Sequence, residues 1–158
     1  MKNKTILNII LFISIFALGS AYFIEYILDH QPCNLCLIQR LPYLLAIIII
    51  FLGLSLNRFE KFTFISLGLI FASASILSLY HLGIEQGFFK ESLVCISNDE
   101  INSLNKEDLI KELQKKVVSC KDVQFTLLGL SLATINTIIS FILSVITFKL
   151  FLNYEKNR

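Results

Sequence analysis

The sequence has no tryptophan, one methionine, two prolines, two histidines and six glycines in 158 residues. Its few glycines stand apart and form neither a phosphate-cradling loop nor a dinucleotide fingerprint. A formal net charge of +2 is too small to argue for nucleic acid, and no such partner is expected. Charged residues make up only 16% of the chain and hydrophobic residues 55%. With a mean hydropathy of +0.71, that balance excludes an ordinary soluble domain. The C-x-x-C spacing occurs once, so the paired knuckles of a zinc ribbon are missing, and no metal is expected. Leu37, not histidine, follows Cys36, which rules out a c-type haem attachment motif.

What the chain does have is long apolar runs, the signature of membrane spans. Residues 6–28 carry a single acid, Glu25, which is expected to reach the interface at the far end. Ala17-Leu18-Gly19-Ser20-Ala21 has the small residues of a cleavage site, but the run continues beyond it, so a retained first span is expected. Leu41 to Leu56 is too short alone for a bilayer needing about 20 residues, which moves the start of the second span to about residue 37. Pro42 then fits a first helical turn; were the helix to begin at Cys33, Pro42 would kink it. Residues 62–82 form a third run with small residues (Gly68, Ala72, Ser73, Ala74, Ser75, Ser78) suited to close helix approach. Tyr80 and His81 suit its far interface. Residues 130–152 form the fourth. The fold expected is an all-α membrane protein, a four-transmembrane-helix bundle in one integral membrane domain over residues 1–158.

Between the spans lie a short loop at residues 29–36 and a long one at 83–129. In the long loop, Asn105-Lys106-Glu107-Asp108 reads as a helix start, followed by Leu109, Ile110, Leu113 and Val117 at helical spacing. That helix would lie on the membrane surface or pack against the rest of the loop. The two termini and the short turn between spans two and three carry Lys2, Lys4, Arg58, Lys61, Lys149, Lys156 and Arg158; the short loop opposite has only Arg40. This asymmetry favours cytoplasmic termini. The long loop is less decisive, with six lysines among eight acids. All four cysteines fall on the opposite side, where disulfides persist.

The cysteines have two readings. Cys95 and Cys120 could form a structural bridge across the long loop. Cys33 and Cys36, three positions apart, would close so small a ring that stability is a weak reason for the bond, whereas a small exposed disulfide is easily reduced and re-formed. Arg40, one helical turn beyond Cys36, would favour a thiolate there, or would serve only as an interface anchor. Two pairs facing one compartment suggest a relay. The competing reading is a non-enzymatic membrane assembly or binding protein braced by two structural disulfides.

Cys33-Asn34-Leu35-Cys36-Leu37-Ile38-Gln39-Arg40-Leu41-Pro42-Tyr43 resembles the first outer loop and second span of the DsbB family, quinone-linked membrane proteins of bacterial disulfide bond formation. Tyr80-His81-Leu82-Gly83-Ile84-Glu85-Gln86-Gly87 is similar to that family's exit from the third span, and Cys120 with Leu128-Gly129-Leu130-Ser131-Leu132 to its approach to the fourth. Phe125 stands where tryptophan is common and Ala133 where proline is common.

The resemblance implies an inner-membrane protein with periplasmic cysteines. Its activity would be that of a protein-disulfide oxidoreductase coupled to the membrane quinone pool, ubiquinone or menaquinone. A DsbA-like thioredoxin-fold dithiol protein would attack Cys95 of a Cys95–Cys120 disulfide. Cys120 would then attack Cys33, and Cys36 would leave as the thiolate that passes electrons to quinone. Arg40 and His81 are the residues assigned to quinone.

Overall fold

The computed structural model describes residues 2–56, 60–90, 95, 119–121, 125–127 and 129–156. The surface helix expected from residue 105 onward lies outside the described residues. In order, the elements are α1 (Lys2–Tyr26), α2 (Asn34–Ile38), α3 (Arg40–Leu56), α4 (Glu60–Glu85), β1 (Thr126–Leu127), β2 (Leu130–Ser131) and α5 (Leu132–Lys156). Among the described residues, four helical stretches are long and apolar enough to cross a membrane: Lys4–Tyr26, Asn34–Ser55, Lys61–Glu85 and Leu132–Tyr154. The chain is a helical membrane bundle. In hydrocarbon a helix satisfies every backbone donor and acceptor internally, which is why these apolar runs take that form.

The second span combines the two expected starts: a helix capped by Cys33 that is broken ahead of Pro42, and Pro42 in the first turn of the helix that follows. It begins at Asn34 and is interrupted at Gln39, between α2 and α3. Pro42 supplies the reason. It has no N–H for the carbonyl four residues back, that of Ile38, and its ring crowds the same carbonyl. Helix α2 ends at Ile38, and the Gln39 N–H is satisfied by Leu35 O at 3.0 Å. Pro42 sits in the first turn of α3, where its missing donor costs little.

Helix α4 packs most extensively against α5, while α3 lies between α1 and α4. Leu7 and Ile10 of α1, Tyr43, Ala46 and Ile50 of α3, Phe64, Leu67 and Phe71 of α4, and Leu143 of α5 form one buried core. The small residues of α4 do what their size suggests. A Cβ on Gly68 would meet the Phe148 ring at 3.3 Å, and Ala74 and Ser78 are fully covered. Buried Ser14, Ser78 and Thr147 donate to carbonyls four residues back (Ile10, Ala74 and Leu143), so none leaves a bare hydroxyl in the bundle. Large apolar side chains such as Phe12, Phe51, Ile76 and Phe141 point outward, as a lipid-facing surface requires.

At one end of the bundle α1 stops, α2 starts, α4 finishes and α5 begins. Asp29 takes a left-handed conformation in the turn leaving α1, with φ at 53°. A short antiparallel hairpin, Thr126 opposite Ser131 and Leu127 opposite Leu130, leads into α5 and was not foreseen in an all-helical reading. Gly129 turns it with φ at 81°, which a side chain would resist. All four cysteines gather at this end.

Candidate active site

Cys33 is the N-cap of α2. Its backbone is extended, and its Sγ accepts the Cys36 N–H at 3.3 Å. Cys36, one turn further on, brings its own Sγ to 2.8 Å from that of Cys33. Both thiols are free, Cys33 buried and Cys36 half-buried. Cys95 and Cys120 form a disulfide with Cα atoms 5.6 Å apart, across 25 positions of sequence. Cys33, Leu35, Ile84, Cys95 and Cys120 share one buried cluster, with Cys36, Leu77 and Tyr80 packed against it. Sulfurs from two separate loops thus meet in one place.

His81 comes from α4 into the middle of this cluster and is 2% exposed. Its Nε2 is 3.6 Å from Cys33 Sγ and 3.8 Å from Glu85 Oε1, and the ring lies against the Cys120 backbone. Its Nδ1 accepts from Gln39 Nε2 at 3.0 Å, which leaves the Nε2 proton directed at sulfur and carboxylate. Gln39 Oε1 accepts from Asn136 Nδ2 at 3.0 Å, and the same amide donates to Ser78 at 2.8 Å. Asn136 Oδ1 accepts from the Tyr43 hydroxyl, which also meets Ser140 at 3.0 Å. An unbroken run of hydrogen bonds therefore joins α3, α4 and α5 beneath the sulfurs. In lipid such a run is held together by the cost of leaving any member unpaired.

The environment lowers the Cys33 thiol from an ordinary 9.0 to about 5. Hydrogen bonding from Cys36 is the largest cause; burial opposes it, and His81 adds a hydrogen bond and a favourable charge interaction. This differs from the expectation that Arg40 would make Cys36 the thiolate. Arg40 turns the other way. Its guanidinium pairs with Glu25 of α1 and lies over the Tyr22 ring, 4.8 Å from the centroid. Glu25 accordingly does not simply reach for the interface: it neutralises a cation from the neighbouring span.

Arg40, Glu25 and Tyr22 belong to a cleft of about 320 Å³ between α1 and the second span, lined also by Leu18, Tyr26, Leu37, Leu41 and Leu44. Its walls are mostly apolar and aromatic, with one ion pair. His81 is not among its lining residues. The two residues assigned to one cofactor from sequence thus sit in different surroundings.

The chain matches the family described as disulfide bond formation protein DsbB over residues 3–150. It belongs to the DsbB family. It is also 34% identical to the uncharacterized protein RP370 of Rickettsia prowazekii (strain Madrid E), over 96% of this chain and 90% of that protein. Membership makes this a multi-pass membrane protein of disulfide bond formation, with disulfide oxidoreductase chemistry. In this DsbB-family chain the sequence reading selected all four cysteines, Arg40 and His81 but assigned nothing to Gln39, Glu85, Asn136 or Tyr43. The available signal was polarity inside apolar runs: Asn136 and Gln39 are side chains that lipid does not tolerate without partners.

Proposed function

We propose that the protein oxidises a thioredoxin-fold dithiol protein outside the cytoplasm, acting from the inner membrane with both termini cytoplasmic, and delivers the electrons to a membrane quinone. The observation that carries this is the meeting of a Cys95–Cys120 disulfide with a free Cys33/Cys36 pair in one buried cluster at a bundle end.

The sulfur steps balance as ordinary thiol–disulfide exchange. A partner thiolate attacks Cys95; the Cys95–Cys120 bond breaks and Cys120 leaves as thiolate. The partner's second thiol attacks its first sulfur, releasing Cys95 and leaving the partner oxidised by two electrons. Cys120 then attacks Cys33 of a Cys33–Cys36 disulfide and Cys36 leaves. Attack of Cys95 on Cys120 releases Cys33 and restores the outer disulfide.

His81 can hold or return a proton at Cys33 through Nε2, and the α2 N-terminus steadies the resulting thiolate. Arg40, with Leu37 and Leu41 beside it, would hold a quinone in the cleft, the guanidinium supplying hydrogen-bond donors. The chemistry a quinone held there would supply is uptake of the two electrons and two protons released as the inner pair closes to a disulfide. The test is quinone reduction by the purified protein supplied with a reduced dithiol partner. Turnover should need all four cysteines; a Cys36→Ser variant that turns over normally would overturn the mechanism. A brace-only protein would give no turnover.

A further inference from the structure

The carboxylate of Glu85 points into the inner sulfur site, yet its Oε2 is buried without a hydrogen-bond partner among the described residues, and its side chain is only 8% exposed. An unpaired carboxylate oxygen at such a depth calls for a positive partner. His81 lies between it and the thiols, and Cys33 Sγ, Cys36 Sγ and a His81 ring nitrogen all fall within 4.8 Å of one another.

We propose that the reduced Cys33/Cys36 pair, with His81 Nε2 and the Glu85 carboxylate, forms a site for a thiophilic divalent cation of the zinc class. Two soft sulfurs, one imidazole and one carboxylate make a four-ligand set of the kind zinc accepts. The edges fit. A tetrahedron with ordinary zinc bond lengths has sulfur-to-nitrogen edges of about 3.5 Å and a sulfur-to-sulfur edge of about 3.8 Å. The Cys33-to-His81 separation is 3.6 Å and the His81-to-Glu85 separation 3.8 Å. The sulfurs, at 2.8 Å, must part by about 1 Å, which rotation of the half-buried Cys36 side chain supplies.

The outer support is present as well. A ligating histidine needs its other ring nitrogen fixed, and the Gln39 amide, itself held by Asn136, lies 3.0 Å from Nδ1. For Nε2 to bind metal the ring carries its proton on Nδ1, and the Gln39 and Asn136 amides both turn over, so that Gln39 Oε1 accepts from Nδ1 and Gln39 Nε2 donates to Asn136 Oδ1. Both thiols lose their protons on binding, so metal uptake releases protons.

The consequence is a site that exists only in one redox state. Closing the Cys33–Cys36 disulfide removes two of the four ligands, and a bound cation in turn occupies the sulfurs that must react. The cation would act as a reversible brake on the reduced protein. The site needs only the reduced pair, so its failure and failure of the relay are separable.

The experiment uses full-length protein in detergent, reduced and freed of metal, with Zn²⁺ or Co²⁺ added and neither partner nor quinone present. The expected result is one tightly held ion per chain and thiolate-to-cobalt charge-transfer absorption. Both should be lost on oxidising the inner pair and in Cys36→Ser and His81→Ala. Glu85→Gln should weaken binding by roughly tenfold or more. Equal binding by the oxidised and reduced wild-type protein, which needs no variant to fold, would overturn the proposal, as would binding indifferent to both Cys36→Ser and His81→Ala.

Discussion

His81 Nε2 and Cys33 Sγ lie 3.6 Å apart, although 48 positions separate them in sequence. The contact ties the last turns of α4 to the cap of α2 and places an imidazole, Glu85 and the Cys36 thiol around one sulfur. Its first consequence is a pH dependence. The Cys33 thiol is lowered from 9.0 to about 5, so the metal-free reduced protein should carry a thiolate from neutrality down to about pH 5. Because the folded value lies below the unfolded one, this thiolate stabilises the fold most fully above pH 9, and that contribution is lost as pH falls through about 5. Thiolate ultraviolet absorbance should titrate with a midpoint there. Cys36→Ala removes the largest cause and should raise the midpoint most, with His81→Ala raising it by a smaller amount. The opposite ranking would mean that the imidazole, not the neighbouring thiol, sets the value.

The Arg40–Glu25 pair predicts a different pattern. The two side chains are 14% and 21% exposed, so each is largely removed from water. Arg40→Ala strands Glu25 between spans and should cost about 1–3 kcal/mol in detergent stability, between the values for surface and fully buried pairs. Adding Glu25→Gln to Arg40→Ala should recover part of that loss. Quinone use should remain weak in both, while exchange at Cys95–Cys120 stays intact. If Arg40→Ala leaves apparent quinone affinity unchanged, Arg40 is only an anchor for α1.

The sequence made the bundle legible because each span announces itself by length and apolarity, and the sulfur motif because C-x-x-C spacing has local meaning. The ends of the spans were less clear. Pro42 admitted two starts for the second helix, and the actual interruption at Gln39 depends on how one carbonyl is satisfied. Partnerships across helices were not legible at all. Nothing in a linear chain tells Arg40 to face Glu25 rather than Cys36, or sets His81 against Cys33 rather than in the cleft. Those choices come from helix rotation, which the packing of α4 on α5 and α3 on α4 decides.

Asn136 is the polar centre of that packing. Its side chain reaches Gln39, Ser78 and Tyr43, so truncation strands groups on two other helices. Asn136→Ala should destabilise the bundle by about 1–3 kcal/mol, while Tyr43→Phe, which removes one hydroxyl, should cost about 1 kcal/mol or less. Because Asn136 holds Gln39, and Gln39 holds His81, Asn136→Ala should also alter the Cys33 titration without touching either sulfur. A Cys33 midpoint unmoved in Asn136→Ala would show that Gln39 positions His81 without help.

Close approach of α3 and α4 gives the last prediction. A Cβ on Gly53 would fall 2.6 Å from Thr63 Oγ1 and 2.9 Å from its Cγ2, a side chain that is 3% exposed and has little room to move. At Gly68 the added Cβ meets the Phe148 ring at 3.3 Å, a distance that a small ring shift relieves. Gly53→Ala should therefore cost about 1–3 kcal/mol by overpacking, and Gly68→Ala less than about 1 kcal/mol. The clash at Gly53 is with two specific atoms, so Thr63→Ala should restore much of the stability lost in Gly53→Ala. Thermal unfolding in detergent compares the three variants. A loss at Gly68 as large as that at Gly53 would mean that the Phe148 ring on α5 cannot shift, and no rescue by Thr63→Ala would mean that the α3–α4 interface does not depend on this one contact.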